Sequence, residues 1–132
     1  MDDRIYYKTD LEKVECVSCG VYRGRHWIIS SVAGDHPCAY IESKNDYSNG
    51  ERDFAAHGGI NFCGGVAHIQ NVPRAFRNLK YNGWDYAHYD DFEFRTGWGE
   101  HQYTVEEIVN EIEMVIDGIV NYEAVLSMKG MA

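Results

Sequence analysis

Thr104-Val105-Glu106-Glu107-Ile108-Val109-Asn110-Glu111-Ile112-Glu113-Met114-Val115-Ile116-Asp117-Gly118-Ile119-Val120 is the stretch on which the fold turns. Its residues Val105, Ile108, Val109, Ile112, Val115, Ile116, Ile119 and Val120 recur at helical spacing and form one apolar stripe. Thr104 followed by Glu107 has the form of a capping box, which predicts the start of the helix. The early acids also suit the positive end of the helix dipole. Glu106, Glu107, Asn110, Glu111, Glu113, Asp117 and Asn121 fill the other face, which reads as solvated. A single stripe needs a single apolar surface, and the short strands upstream supply it.

Upstream, residues 5 to 25 read as an opening segment with a short strand. His26-Trp27-Ile28-Ile29-Ser30-Ser31-Val32 is rich in aromatic and β-branched residues and predicts a strand. Gly34-Asp35-His36-Pro37 signals a turn, and Cys38-Ala39-Tyr40-Ile41-Glu42 is a second strand, so the two read as a hairpin. Residues 43 to 51 are polar loop. Short strand material follows at Phe54 to His57 and at Ile60 to Gly65, broken by Gly58-Gly59 and Gly64-Gly65. Residues 70 to 83 read as loop or short helix, and Trp84 to Tyr89 as another strand. The class is therefore α+β: a small antiparallel sheet packed against one long C-terminal amphipathic helix, in a single domain over residues 1–132.

Composition narrows the function. The 132 residues are 45% hydrophobic and 25% charged, a globular balance. Net charge is −9, a poor basis for holding a nucleic-acid backbone directly. The acid excess is concentrated at the C-terminal end: residues 100 to 132 hold seven acids and one base, Lys129. Besides solvation, such a face suits a basic partner. Arg74, Arg77 and Lys80 form one basic cluster after Pro73, suited to a phosphate. No apolar run is long enough to span a membrane, and Met1-Asp2-Asp3-Arg4 leads into no secretory core, so a cytoplasmic location is expected. Cys16, Cys19, Cys38 and Cys63 are then expected as free thiols. Cys16-Val17-Ser18-Cys19 has the spacing of half a zinc site, which Cys38, Cys63 or a nearby histidine would have to complete.

Two motifs draw chemistry together. His57-Gly58-Gly59 sets a histidine beside glycines that expose main-chain N–H donors. Trp84-Asp85-Tyr86-Ala87-His88-Tyr89-Asp90-Asp91 adds a second histidine and three carboxylates. On a flat strand Asp85 and His88 would face opposite sides, so joint action needs a bulge or turn. Two functions stay open beside a purely structural one. In the first, His57, Gly58, Gly59, Trp84, Asp85, His88 and Asp90, with Arg74 and Arg77, bind a polar ligand without catalysis. In the second, His57, His88 and Asp90 hold a divalent metal that activates water, with His57, Asp85 and His88 as catalytic residues of a small hydrolase. No P-loop, dinucleotide fingerprint or nucleophile elbow is present. The aromatic content of 14% suits core packing, with a stacking pocket or a protein interface as further uses, and is compatible with a homodimer.

In order, His36-Pro37-Cys38-Ala39-Tyr40-Ile41, Ala56-His57-Gly58-Gly59-Ile60-Asn61-Phe62-Cys63-Gly64 and Gly83-Trp84-Asp85-Tyr86-Ala87-His88-Tyr89-Asp90-Asp91 resemble a family of small phage and prophage proteins. That family pairs a Cys-Gly-Tyr block, a His-Gly-Gly block and an Asp-x-Ala-His block with an acidic C-terminal helix. The resemblance covers about residues 26 to 122. This chain departs from it at Ala39, where the family has Gly, and at Asn61 and Cys63, where it has Thr and Ser, so neither of those two positions offers a hydroxyl. The resemblance implies a phage accessory gene acting in a bacterial cytoplasm. Such proteins blunt host defence by sequestering a nucleotide-type signal or by occupying a host defence protein, here with the helix acids Glu107, Glu111 and Glu113 as the candidate contact.

Overall fold

Alternation of apolar residues between two sheet faces builds the strands. The structure is a computed structural model, which describes residues 14–31, 36–50, 52, 54–86 and 103–130. Five strands form one antiparallel sheet: β1 (Cys16–Tyr22), β2 (Arg25–Ser30), β3 (Cys38–Glu42), β4 (Phe62–Gly64) and β5 (Tyr81–Asp85), in the order β1-β2-β3-β5-β4. The helix α1 spans Val105–Met128 and packs across one face. The expected α+β arrangement is what forms. The expected hairpin is the β2–β3 pair, with Trp27 opposite Ile41 and Ile29 opposite Ala39. The strand expected at Trp84 to Tyr89 begins earlier, at Tyr81, and residues 87 to 89 lie outside the described residues.

Thr104 caps α1 as expected: its side chain accepts from the Glu107 N–H at 3.0 Å, and Glu107 accepts from the Thr104 N–H at 3.1 Å. Ile108, Ile112, Val115, Ile116 and Ile119 are fully buried against Trp27, Ile29, Ala39, Ile41 and Trp84. The sheet also has apolar residues on its other face. Ile28, Tyr40 and Tyr81 point away from the helix and are covered by Val66, Ile69 and Val72 of the long connection between β4 and β5. One expectation needs correcting: the polar side of α1 is not simply solvated. Asp117 accepts from the Tyr22 hydroxyl at 3.1 Å and from Arg23 at 2.8 Å. Glu123 accepts from the Tyr47 hydroxyl at 2.6 Å, from Asn45 at 3.0 Å and from Arg25. Tyr22 and Tyr47 belong to segments that the helix crosses, so these acids tether its flanks. Among the described residues no helix is long and apolar enough to cross a membrane.

Candidate functional site

His57 is placed by a tight run of backbone. Phe54, Ala55, Gly58 and Gly59 all adopt positive φ, at 52°, 66°, 69° and 87°, and the Gly59 N–H closes on the Ala56 carbonyl at 2.8 Å. Glycine takes this conformation without strain, whereas Phe54 and Ala55 hold it against a steric cost. Their surroundings supply the restraint: Ala56 is buried in the helix-side core, and the Phe54 ring packs on Gly118 and on Tyr47.

This turn lays the His57 ring flat on Tyr86, with centroids 4.8 Å apart and planes 14° apart. Tyr103 meets the ring edge-on at 5.4 Å, and its hydroxyl lies 3.4 Å from His57 Nδ1. Beneath them sits Glu111. One oxygen, Oε1, accepts from the Tyr86 hydroxyl at 2.5 Å, from Trp84 Nε1 at 3.0 Å and from the His57 N–H at 3.3 Å. Trp84 and Tyr86 are almost fully buried. Burial, and then the neighbouring Glu111 carboxylate, push the Tyr86 phenol well above its ordinary range, so it stays protonated and donates. The result is a carboxylate joined to two buried aromatic donors, with the histidine stacked on top.

Asp85 goes elsewhere. It pairs with Cys38 across β5 and β3, on the face opposite the helix, whereas Tyr86 and His57 lie on the helix side. There Asn61 donates to Asp85 at 3.0 Å, and the two border a pocket of about 340 Å³ with Cys38, Tyr40 and Phe62. Burial, reinforced by Asp85, pushes the Cys38 thiol up to about 12, so it is not a thiolate nucleophile near neutral pH. The structure thus separates His57 from Asp85, which the sequence reading had joined. His88 and Asp90, the other residues of that constellation, lie outside the described residues. Trp84 turns its ring to Glu111 and the core, so it offers no open stacking face.

All four cysteines are free. A bulge between Cys16 and Ser18 turns Cys16 and Cys19 toward the second face, where Cys38 also packs. Cys63 sits on β4 opposite Asn82. Among the described residues no group of three or more His, Cys, Asp or Glu is placed to hold a metal ion.

The basic cluster occupies the connection on the second face. Pro73 opens a single 3-10 turn, Arg74–Phe76. Arg77 is pinned by its Nε, which donates to the Val72 carbonyl at 2.8 Å. It borders a pocket of about 340 Å³ with an apolar floor of Val66, Ile69 and Val72 and a polar rim that includes Asn71 and Asn78. Arg74 is exposed on the turn. Lys80 stands near Asp46 and Cys63 instead and does not border the pocket. Comparison of the chain with protein-family models, curated proteins and solved structures found no match.

Tyr86, Glu111 and Tyr103 are the members of the His57 cluster that sequence reading did not join to His57, Glu111 being expected only as a contact for a host protein. The signal for Glu111 was its position: three residues after Ile108 and four before Val115, it borders the apolar stripe instead of facing away from it. Tyr103 carried no signal beyond lying just before the cap.

Proposed function

We propose that the protein is a phage accessory protein that counters a bacterial host defence by binding a nucleotide-type signal, without catalysis. The observation that carries the ligand class is the pocket beside Arg77. Its volume of about 340 Å³ falls within the roughly 300–1,000 Å³ of small-molecule sites. Its apolar floor suits a base, and Arg77, Asn71 and Asn78 suit polar and phosphate oxygens. The chain as a whole is acidic, yet no acid lies between positions 71 and 84, which hold Arg74, Arg77 and Lys80. Binding is favoured over hydrolysis because His57 is stacked in an aromatic cluster, while Asp85 lies on the other sheet face. The phage setting rests on the resemblance of the His57-Gly58-Gly59 and Asp85-Tyr86-Ala87-His88 blocks.

Isothermal titration with a panel of nucleoside phosphates, and with inorganic phosphate as the minimal probe, tests the reading. A nucleotide should bind, and Arg77→Ala should weaken it at least tenfold, since a charged hydrogen bond contributes about 1.5–3 kcal/mol. Absence of binding across the panel, or equal affinity in Arg77→Ala, would overturn the nucleotide assignment.

A second reading, occupation of a host defence protein, is favoured by the outer face of α1. Met114, Val125 and Met128 are 60%, 47% and 87% exposed there, at spacings that keep them on one side. Pull-down of a host defence protein that is lost in Met114→Lys with Met128→Lys, and retained in Arg77→Ala, would support it. Equal capture by both variants would exclude this face.

A further inference from the structure

The two outer strands of the sheet differ in how they end it. β4 has three residues, and shortness by itself protects such an edge. β1 has seven, Cys-Val-Ser-Cys-Gly-Val-Tyr, with no charge and no proline. Sheet edges are normally blunted by such residues, because unpaired N–H and C=O groups template another strand.

Which groups are open follows from the hairpin. Arg23 and Gly24 join β1 to β2 with φ of 49° and 78°, the signature of a type I′ two-residue turn. In such a hairpin the flanking pair, Tyr22 and Arg25, exchanges hydrogen bonds, and the pairs alternate from there. Tyr22, Gly20 and Ser18 therefore turn their main-chain groups to β2, and Val21 and Cys19 turn theirs outward. The bulge between Cys16 and Ser18 ends the alternation, and beyond it the Cys16 N–H is taken by the Gln70 carbonyl at 2.8 Å. Among the described residues, the N–H and C=O of Cys19 and of Val21 are left facing out.

We propose that this edge binds a second copy of the chain, the two β1 strands pairing antiparallel across a two-fold axis through Gly20 into a ten-stranded sheet. The open groups are self-complementary in that register. Cys19 falls opposite the partner's Val21, and Val21 opposite the partner's Cys19. Residues so paired exchange both bonds, so all four open groups of each strand are satisfied with none left over. Side chains agree with the backbone. Val21, 57% exposed in the single chain, is brought beside the partner's Cys19 on the same face. Gly20 lies on the axis, and it has to be glycine already, because a Cβ there would stand 2.7 Å from a Trp27 ring carbon. Charge selects the place: a chain of net charge −9 repels its copy over most of its surface, while β1 is neutral along its length. The proposal does not depend on the ligand assigned above.

Sedimentation equilibrium of the full chain over a wide concentration range, combined with amide hydrogen exchange, tests it. The mass should rise from 15.1 kDa toward twice that value with concentration. The Cys19 and Val21 amides should gain protection in step, while those of Ser18, Gly20 and Tyr22 stay unchanged. Val21→Pro deletes an outward N–H and leaves the β2 ladder intact, so it should hold the mass at 15.1 kDa with an unaltered circular dichroism spectrum. If that variant loses its fold, Val21→Lys puts a charge on the edge instead and should give the same monomer. A monomer at every concentration, a dimer that survives both substitutions, or Cys19 and Val21 amides already protected in the dilute monomer would overturn the proposal.

Discussion

Replacing Glu111 by alanine would remove the acceptor shared by the Tyr86 hydroxyl, Trp84 Nε1 and the His57 N–H. The three donors do not lose equally. Trp84 Nε1 keeps a second contact, 3.1 Å to the Tyr86 oxygen. The Tyr86 hydroxyl is left fully buried and without its acceptor, and the half-buried His57 N–H loses a long, weak bond. A buried donor left unsatisfied costs about 1–3 kcal/mol. With Tyr86 at the full cost and the other two at a fraction of it, Glu111→Ala should destabilise the protein by about 2–4 kcal/mol. Glu111→Gln keeps a carbonyl oxygen for the two aromatic donors and should cost only about 1–2 kcal/mol. Urea unfolding followed by tryptophan fluorescence reads the difference. At a slope of about 1–3 kcal/mol per molar urea, the alanine variant should unfold at least about 0.7 M earlier than the parent chain. Asn110→Ala, one position away on the exposed side, is the control and should stay within about 0.5 kcal/mol of the parent. Should Glu111→Ala match Asn110→Ala, Glu111 would be an ordinary solvated helix acid and the cluster around His57 would not be held as described.

Two further perturbations test the sheet and the tethering of the helix. A Cβ at Gly83 would stand 2.9 Å from the Ala39 carbonyl oxygen and 2.9 Å from a Tyr40 ring carbon, whereas one at Gly65 would meet nothing within 4 Å. Gly83→Ala should therefore lower thermal stability by about 1–3 kcal/mol and Gly65→Ala should not, and equal melting temperatures would refute the close approach of β3 and β5. Burial raises the Glu123 carboxyl, but hydrogen bonds from Tyr47, Arg25 and Asn45 outweigh it and hold the group below its ordinary 4.5. A carboxyl depressed in the folded state adds stability above its unfolded pKa and loses it as pH falls through the folded one. Stability should thus decline in acid more steeply for the parent chain than for Glu123→Gln when both are followed by denaturant midpoint, and parallel profiles below the ordinary pKa would show that Glu123 is not so held.

Much of the fold was legible in the sequence because it rests on local periodicity. The stripe from Val105 to Val120 and the Thr104 cap specify α1 from neighbours within a turn or two. The β2–β3 hairpin was legible for the same reason, from runs of β-branched and aromatic residues with a turn signal between them. The strand at Tyr81–Asp85 was placed late because Asn82 and Gly83 are poor strand formers. They are tolerated there by tertiary contacts: buried Asn82 accepts from the Tyr47 N–H at 3.1 Å, and Gly83 makes room for Tyr40.

The sequence by itself determined the class of fold, the helix and its cap, the acidity of the C-terminal third and the residue types available for chemistry. Only the tertiary structure decided which of those residues meet. It set His57 on Tyr86 and above Glu111, put Asp85 on the other sheet face beside Cys38 and Asn61, and drew Asp117 and Glu123 back to the sheet side of the molecule. The division has a physical cause. A helix or hairpin is selected by interactions between residues close along the chain. The His57 and Asp85 sites depend on strand register, where neighbouring residues face opposite ways, and on contacts such as His57 with Glu111, whose partners lie 54 positions apart.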